Sequence, residues 1–281
     1  MGGYEHLEFD YVAAGGESGA DQMIAPKDGP SFYRAARRLQ RAGYLDSAAQ
    51  YYQHAVGFNE HHYQAWVEWI DTLVRAGRID EANAQSKQAL DVYRKVRIFY
   101  ASRALTLAHR QDFQEALTLV GVAIEGKNAW YARCVEAELF LLMPVKQSEQ
   151  ALACLNKAID LCEDRWDPCY LGGRMLLDAG LAVWAAGLFS EAVHADTRAA
   201  AGWLGLGACF ERFRLYDQAL FYYRKVIELN PRHDLALEGQ RRCAPKLFGL
   251  TRVFRKDTLR RRWNREYDRI RKQQERMFDD T

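Results

Sequence analysis

The chain has 281 residues, of which 49% are hydrophobic and 27% charged, and its formal net charge is only +2. This balance allows the chain to bury apolar surface and to stay soluble. No stretch reaches the ~18 apolar residues that a membrane-spanning helix needs, and residues 1–30 lack the apolar run of a signal peptide, so we expect a soluble, cytoplasmic protein.

The N-terminal residues 1–28 are glycine-rich and acidic, with six acids against a single lysine, Lys27. The stretch from Tyr4 to Val12 mixes acids with large apolar side chains and has no helical period. Two interpretations stay open for this tail. It is either a solvated segment, or an extended peptide that docks in this protein's own groove or on a partner.

The central part of the chain carries small alanines at a stride of 34 or 35 residues. The first series is Ala48, Ala82, Ala116, Ala151, Ala185 and Ala219. A second series follows seven residues later, with Val226 as its one exception: Ala55, Ala89, Ala123, Ala158 and Ala192. A stride of this length predicts stacked helical units, here 29–62, 63–96, 97–130, 132–165, 166–199 and 200–233.

Each unit is predicted to be two antiparallel helices, because a small side chain at the crossing point lets the two backbones interlock. Glycines fall where the first helix of a unit should end in a left-handed residue, namely at Gly43, Gly77 and Gly180. Aspartates fall near the start of the second helix, where we expect them to cap it: Asp46, Asp80 and Asp217.

The sixth unit resembles the tetratricopeptide repeat consensus in residues Trp203, Leu206, Gly207, Phe210, Tyr216, Ala219, Tyr223 and Pro231. It departs from the consensus at Arg214 and Val226. The fourth unit is the weakest match, and Pro144 is expected to end its first helix early. The resemblance implies an all-α, right-handed superhelical solenoid of six helix-turn-helix repeats that needs no cofactor and binds another protein.

The same resemblance implies that the first helix of each unit lines a concave groove. The implied partner-binding residues are Tyr33, Arg37, Gln64, Asp71, Arg75, Arg133, Glu136, Phe140, Tyr170, Arg174 and Arg212. The carboxylate clamp of some co-chaperone relatives would need Asn or a base at one position of three successive units. That position is held by Arg37, Asp71 and Leu105, so the clamp is not preserved.

The chain ends in a strongly basic region. Residues 234–245 are predicted to form a capping helix stopped by Pro245, and residues 246–281 a basic amphipathic helix. From residue 241 onward, fourteen Lys and Arg stand against six Asp and Glu. The residues singled out in this helix are Arg260, Arg261, Arg262, Trp263, Arg265 and Arg269. The helix packs on the last repeats, docks an acidic partner protein, or binds nucleic acid or an anionic membrane; all three uses stay open.

No catalytic motif is visible, and the adjacent pair His61-His62 is a poor metal site because neighbouring helical residues do not face one another. The six cysteines form no CxxC pair and are read as reduced core residues: Cys134, Cys154, Cys162, Cys169, Cys209 and Cys243. We therefore predict a non-enzymatic scaffold or adaptor without a metal. The alternative is an adaptor that attaches to RNA or acidic lipid through its basic helix, and self-association stays open.

Overall fold

The computed structural model describes residues 26–126, 129–247 and 258–269, and every regular element among them is helical. Twelve helices form six consecutive pairs: α1 (Gly29–Ala42) with α2 (Leu45–Phe58), α3 (Tyr63–Arg75) with α4 (Ile79–Val92), α5 (Ile98–His109) with α6 (Phe113–Ile124), α7 (Trp130–Leu142) with α8 (Ser148–Leu161), α9 (Trp166–Asp178) with α10 (Ala182–Ala195), and α11 (Ala200–Arg212) with α12 (Tyr216–Leu229). Each pair packs together and stacks on the next. The prediction of an all-α solenoid of helical pairs is confirmed.

The alanine stride marks the contact between the two helices of each unit. All six alanines of the first series are completely buried. In the sixth unit the residue that faces this contact is Gly207, and a Cβ atom built there would lie 2.6 Å from the ring of Tyr223. Small residues are therefore required at these crossings, as the alanine stride predicts.

The turns inside the units contain the left-handed glycines that the sequence predicts, but the aspartates do not cap the second helices. Gly43, Gly77 and Gly180 all have positive φ, and the non-glycine residues Gln111 and Arg214 adopt the same conformation elsewhere. The expected aspartate caps are wrong. The N-cap positions of α2, α4 and α12 are held by Tyr44, Arg78 and Leu215, and none of these side chains makes a capping hydrogen bond. The three aspartates lie inside the first turn of these helices, where their negative charge still interacts favourably with the helix dipole: Asp46, Asp80 and Asp217.

The fourth unit is shifted relative to the prediction. Helix α7 already begins at Trp130 and ends at Leu142, before Pro144. The connection from α7 to α8 has five residues, whereas the other units use two or three. The extra residues displace α7 by two positions towards the N-terminus, so the predicted unit start at 132 is too late for this helix.

After the sixth unit, α13 (Asp234–Cys243) packs on α12 through its buried residues Ala236, Gly239 and Cys243. A 3-10 turn at Ala244–Leu247 contains Pro245 and follows directly. Residues 258–269 form a further helical segment. The predictions for residues 1–25, and for residues 248–257 and 270–281 of the predicted basic helix, lie outside the described residues. Among the described residues, no helix has the length and apolarity to span a bilayer.

Candidate partner-binding surfaces

The first helices of the units face the inside of the array, and the inside is closed. Helices α3, α5, α7 and α9 contact one another in sequence, α9 contacts α11, and α1 comes round to contact α11 as well. The two ends of the array therefore meet and form a ring, and its interior contains two networks of charged side chains.

The first network, the Arg75 cluster, joins α3, α5 and α7. Arg75 donates to both carboxylate oxygens of Glu138, at 2.7 and 2.6 Å, and to Asp71 at 3.3 Å. His109 Nε2 lies 2.8 Å from the same carboxylate. Burial acts to raise the pKa of Glu138, but Arg75 and His109 outweigh it and hold that pKa at about 2. For Asp71, burial prevails over Arg75 and raises the pKa.

The second network, the Arg37 cluster, joins α1, α2, α3 and α9. Glu68 accepts hydrogen bonds from Tyr33 at 2.8 Å, Tyr52 at 2.5 Å and Arg37 at 3.1 Å. The other terminal nitrogen of Arg37 donates to both oxygens of Asp167, at 2.9 and 2.8 Å. Burial raises the pKa of Asp167 to about 6 against the opposing effect of Arg37. Because Arg37 bridges the first and fifth units, it holds the ring closed.

A second group of side chains on α1 reinforces this closure. Arg41 donates to Asp164 at 2.6 Å and to Asp196 at 2.9 Å, and its guanidinium lies 4.5 Å from the ring centre of Trp166. A planar guanidinium that binds two carboxylates through different nitrogens and lies over an aromatic face suits arginine better than lysine.

The turn after α1 meets the turn after α12 in the same way. Asn230 Nδ2 donates to the hydroxyl of Tyr44 at 2.8 Å, and His233 Nε2 lies 2.6 Å from the carbonyl oxygen of Ala42. The rings of Tyr44 and His233 stack with centres 5.1 Å apart. Together with Arg37 and Arg41, these residues make up what we call the ring contact.

Little space remains inside the ring. The interior cavity between α1, α3, α7 and α9 holds about 20 Å³, which is room for about one water molecule. It is lined by Gln40, Gln64, Val67, Glu68, Asp71, Trp130, Tyr131, Trp166, Asp167, Tyr170 and Leu171. The expectation of an open concave trough therefore does not match this conformation, because the protein's own side chains fill it.

Most of the predicted groove residues do lie in this interior, but they bind one another. Arg37, Asp71 and Arg75 are members of the two networks, and Tyr33 binds Glu68. Gln64 donates to Glu68, and buried Tyr170 has its hydroxyl 3.5 Å from half-buried Arg174. Arg212 is exposed at the end of α11. Because these side chains bind one another in this conformation, their use in holding a partner stays a prediction.

The groove residues predicted in the fourth unit lie outside the interior, because α7 is shifted. Glu136 binds Arg133 on its own helix and accepts a contact from Cys154 Sγ on α8, so the pair faces the partner helix. Phe140 is half-buried in the core and joins neither network. The interior positions of α7 belong instead to Tyr131 and Glu138.

Sequence reasoning also missed Glu68 and Asp167 as centres of the interior. A usable signal existed for Asp167: it holds the second position of the fifth unit, which Gln64 holds in the second unit, and Gln64 was predicted to line the groove. No comparable signal existed for Glu68, which lies between the positions expected to line the groove. Its long side chain nevertheless reaches the Arg37 cluster.

The second surface is formed by the helical segment 258–269, which packs on the outside of the ring. Its Trp263 is buried and stacks on Phe210 with ring centres 4.4 Å apart, and meets Phe213 edge-on at 5.0 Å. Arg260 lies 3.7 Å from Asp217, and Arg262 lies 5.6 Å from the ring centre of Phe213. Trp263 and the partly buried Leu259 therefore pack on the core of the repeats, whereas Tyr267 on the same helix is exposed.

A groove of about 520 Å³ opens between this segment and the fourth and fifth units, and we call it the C-terminal groove. Its lining residues are Ser148, Glu149, Leu152, Trp184, Arg262, Arg265, Glu266 and Arg269. Within the part of the chain that the structure describes, Arg262, Arg265 and Arg269 form no ion pair. Arg261 is exposed on the same helix, whereas buried Trp263 has no free face for a base or a lipid.

No group of three or more His, Cys, Asp or Glu residues that could hold a metal occurs among the described residues. His62 is used locally, because its Nδ1 accepts a hydrogen bond from the backbone of Ala65 at 3.2 Å. The six cysteines are free thiols, and burial raises the pKa of several of them, for example Cys154 to about 12. Thiols of this kind are poor nucleophiles at neutral pH.

Comparison with known proteins identifies one repeat directly. Residues 200–233 match the family model described as tetratricopeptide repeat. A search of curated protein sequences finds no significant match.

Solved structures provide distant likenesses. One is YrrB, described as a TPR protein with an unusual peptide-binding site, at 19% identity and a TM-score of 0.40, covering 69% of this chain and 99% of that one. Another is TTC0263, a thermophilic TPR protein in Thermus thermophilus, at 19% identity and a TM-score of 0.43, covering 78% and 98%. A third is the human IFIT1 dimer with m7Gppp-AAAA, at 12% identity and a TM-score of 0.49, covering 83% and 59%. Likenesses this distant carry no information about what the present chain binds.

Proposed function

Because this chain is a tetratricopeptide repeat protein, we propose that it is a non-enzymatic scaffold that binds a segment of a partner protein. Stacked helical pairs offer a long outer surface and, in the interior, a cavity far smaller than the several hundred Å³ of a typical small-molecule site. A cytoplasmic location stays a prediction based on the reduced cysteines.

The C-terminal groove is the surface that we propose for this binding. The observation that carries the proposal is the set of three arginines without ionic partners among the described residues, set beside the apolar side chains of Leu152 and Trp184. Arginines and aromatic residues dominate the energetics of protein interfaces, because they combine contact area with directed hydrogen bonds. The partner that fits is an acidic segment with apolar side chains.

The test is binding of a labelled synthetic peptide in which Glu alternates with Leu and Phe, measured by fluorescence anisotropy on the full chain. The variant is Arg262→Glu, Arg265→Glu and Arg269→Glu together. We expect affinity to fall at least about tenfold, which corresponds to about 1.4 kcal/mol, and to weaken with added salt.

The matched control reverses three exposed bases of the second repeat, Lys87→Glu, Arg94→Glu and Lys95→Glu. It changes the net charge by the same amount and should leave the affinity unchanged. An equal loss in both variants would mean that the peptide responds to total charge, and the groove would be discarded.

The alternative function, attachment to RNA or to an acidic membrane, would use the same arginines. Burial of Trp263 against Phe210 and Phe213 speaks against it, since this indole is not available for base stacking or lipid insertion, which leaves Tyr267 as the exposed aromatic side chain of segment 258–269. Binding of single-stranded RNA or phosphatidylserine vesicles more tightly than the acidic peptide would replace our proposal with this one.

The concave face is the second candidate surface for a partner. Its charge favours this idea, because placing ionised groups such as Asp71, Arg75 and Glu138 inside packed helices costs desolvation energy that their pairing offsets only in part. Binding there requires that the ring contact opens. Under this hypothesis, replacing Asp164 and Asp196 with Asn weakens the ring contact and strengthens the binding of an interior partner.

A further inference from the structure

The C-terminal groove is complementary to a segment of this same chain. We propose that the N-terminal segment, residues 1–25, docks in the groove through residues 7–11 in an extended conformation, with residues 12–25 as its tether, so that the chain covers its own partner-binding surface. This inference rests on the proposed function, because it concerns the same groove, and it names the segment that occupies the groove before a partner binds.

The groove has two unlike walls. One wall presents Arg262, Arg265 and Arg269 from the helical segment 258–269, and the other presents Leu152 of α8 and Trp184 of α10. Two carboxylates, Glu149 and Glu266, also line it. Glu149 lies in the first turn of α8, where the positive end of the helix dipole offsets its charge. The groove therefore favours a ligand that is acidic on one side and apolar on the other.

The N-terminal segment has this two-sided character. Residues 1–25 contain five acids and no Lys or Arg: Glu5, Glu8, Asp10, Glu17 and Asp21. From Leu7 to Tyr11 apolar and acidic residues alternate. Since successive side chains of an extended chain point to opposite sides, Leu7, Phe9 and Tyr11 share one face while Glu8 and Asp10 share the other. The first face fits the apolar wall and the second fits the arginines.

The segment is long enough to reach the groove. The C-terminal end of α1 lies beside the fifth and sixth units, where Arg41 meets Asp196 and Gly43 approaches Leu204. The segment 258–269 packs near the far end of α11, on Phe210 and Phe213. Two helices of this size laid end to end measure about 40 Å. The fourteen residues 12–25 span up to about 46 Å when extended, so the distance is covered.

Tethering favours this occupant over the same segment of a second copy. A segment joined to its own site acts at an effective concentration on the order of 1 mM, above the protein concentration in a dilute solution. If the intrinsic dissociation constant is on the order of 0.1 mM, the tethered segment fills about nine-tenths of the grooves and weakens a competing peptide about tenfold.

The experiment is site-specific photo-crosslinking in the full chain. Phe9 is replaced by the photoreactive p-benzoylphenylalanine, the protein is irradiated at low micromolar concentration, and crosslinked peptides are identified by mass spectrometry. We expect crosslinks within one chain to peptides that contain Leu152, Trp184 or residues 258–269. The triple reversal of Arg262, Arg265 and Arg269 to Glu should reduce their yield at least about fivefold, whereas the second-repeat control reversal should not.

Crosslinks to other parts of the ring, or none at all, would overturn the proposal. Crosslinks between two chains would assign the groove to a second copy and would overturn the intramolecular form. A second measurement uses the full chain with Leu7, Phe9 and Tyr11 changed to Ser, which should bind the alternating acidic peptide about tenfold more tightly. If crosslinks persist but neither form of the chain binds that peptide, the proposed function fails while the inference stands. If the peptide binds both forms equally, the inference fails alone.

Discussion

The arginines of the ring interior and those of the C-terminal groove belong to the same residue type and have opposite surroundings. Arg75 is buried and bound to two carboxylates, and Arg37 bridges Glu68 and Asp167 across the ring. Arg265 and Arg269 are exposed and have no ionic partner within the described residues. The interior arginines are paired with carboxylates of the ring, whereas the groove arginines can bind a partner.

This difference shows that an arginine on a helical repeat indicates a binding site only when its charge is not already paired with a carboxylate of the same chain. A buried ion pair gains little net stability, because desolvation opposes the attraction, but removal of one partner leaves an uncompensated charge. Interior and outer arginines should therefore respond in opposite ways to substitution: the interior ones through stability, the outer ones through binding.

The largest effect is expected for Arg75→Met. The substitution leaves Glu138 and Asp71 buried without their arginine, so the free energy of unfolding should fall by about 3–5 kcal/mol. Urea denaturation followed by circular dichroism measures this. The exposed Arg224→Met serves as the control and should change the value by less than about 0.5 kcal/mol. Similar small losses in both variants would show that the Arg75 cluster is dispensable.

The same cluster predicts how stability depends on pH. The folded pKa of Glu138 is held at about 2, below its ordinary value of 4.5, so its contribution is complete above about pH 4.5 and is lost as the pH falls towards 2. The loss should amount to about 3 kcal/mol. Asp167 acts in the opposite sense: its raised pKa of about 6 removes stability as the pH rises from about 4 to 6.

The two contributions can be separated with Glu138→Gln. Unfolding curves of the variant should lose the steep acid limb below about pH 4.5 and keep the slope that Asp167 produces. An unchanged acid limb in the variant would assign acid denaturation to other carboxylates and would contradict the role given to Glu138.

A smaller and more local effect is expected at the ring contact. Arg37→Gln removes charged hydrogen bonds to Asp167 and Glu68, which should cost about 1.5–3 kcal/mol. Because Arg37 joins α1 to α9, the loss should be concentrated in faster amide hydrogen exchange along Gly29–Ala42, measured by mass spectrometry. The neighbouring Arg38→Gln, outside both networks, provides the control. Uniform exchange changes over the whole ring would argue against local opening.

Much of the fold could be predicted from the sequence, because the requirement that creates it is local. Paired helices need small residues where they cross, and the complete burial of Ala48, Ala116 and Ala219 reflects that need directly. The glycine turns follow from backbone conformation in the same way. The fourth unit failed because its first helix was positioned from its second: the longer connection after Leu142 moves Ala137, not Leu139, to the crossing.

The closed interior could not be predicted from the same pattern. Arg37 and Asp167 are separated by 130 residues, and their meeting depends on the small rotation of each unit summed over the whole array. A repeat motif defines one unit and its neighbour, not the total curvature. Hence the sequence indicated that Arg37 and Asp71 face inward, and only the structure shows that their charges are paired there.

The smallest effect on stability is expected from the triple reversal of Arg262, Arg265 and Arg269 to Glu. Exposed side chains without ionic partners contribute little to folding, and the cation–π contact of Arg262 with Phe213 is worth about 0.5–1 kcal/mol at most at an exposed site. The unfolding free energy should therefore change by less than about 1 kcal/mol, while acidic peptide binding falls about tenfold. A loss of stability near that of Arg75→Met would mean that these arginines hold the C-terminal segment on the ring. The contrast between interior arginines that act through stability and groove arginines that act through binding would then no longer hold.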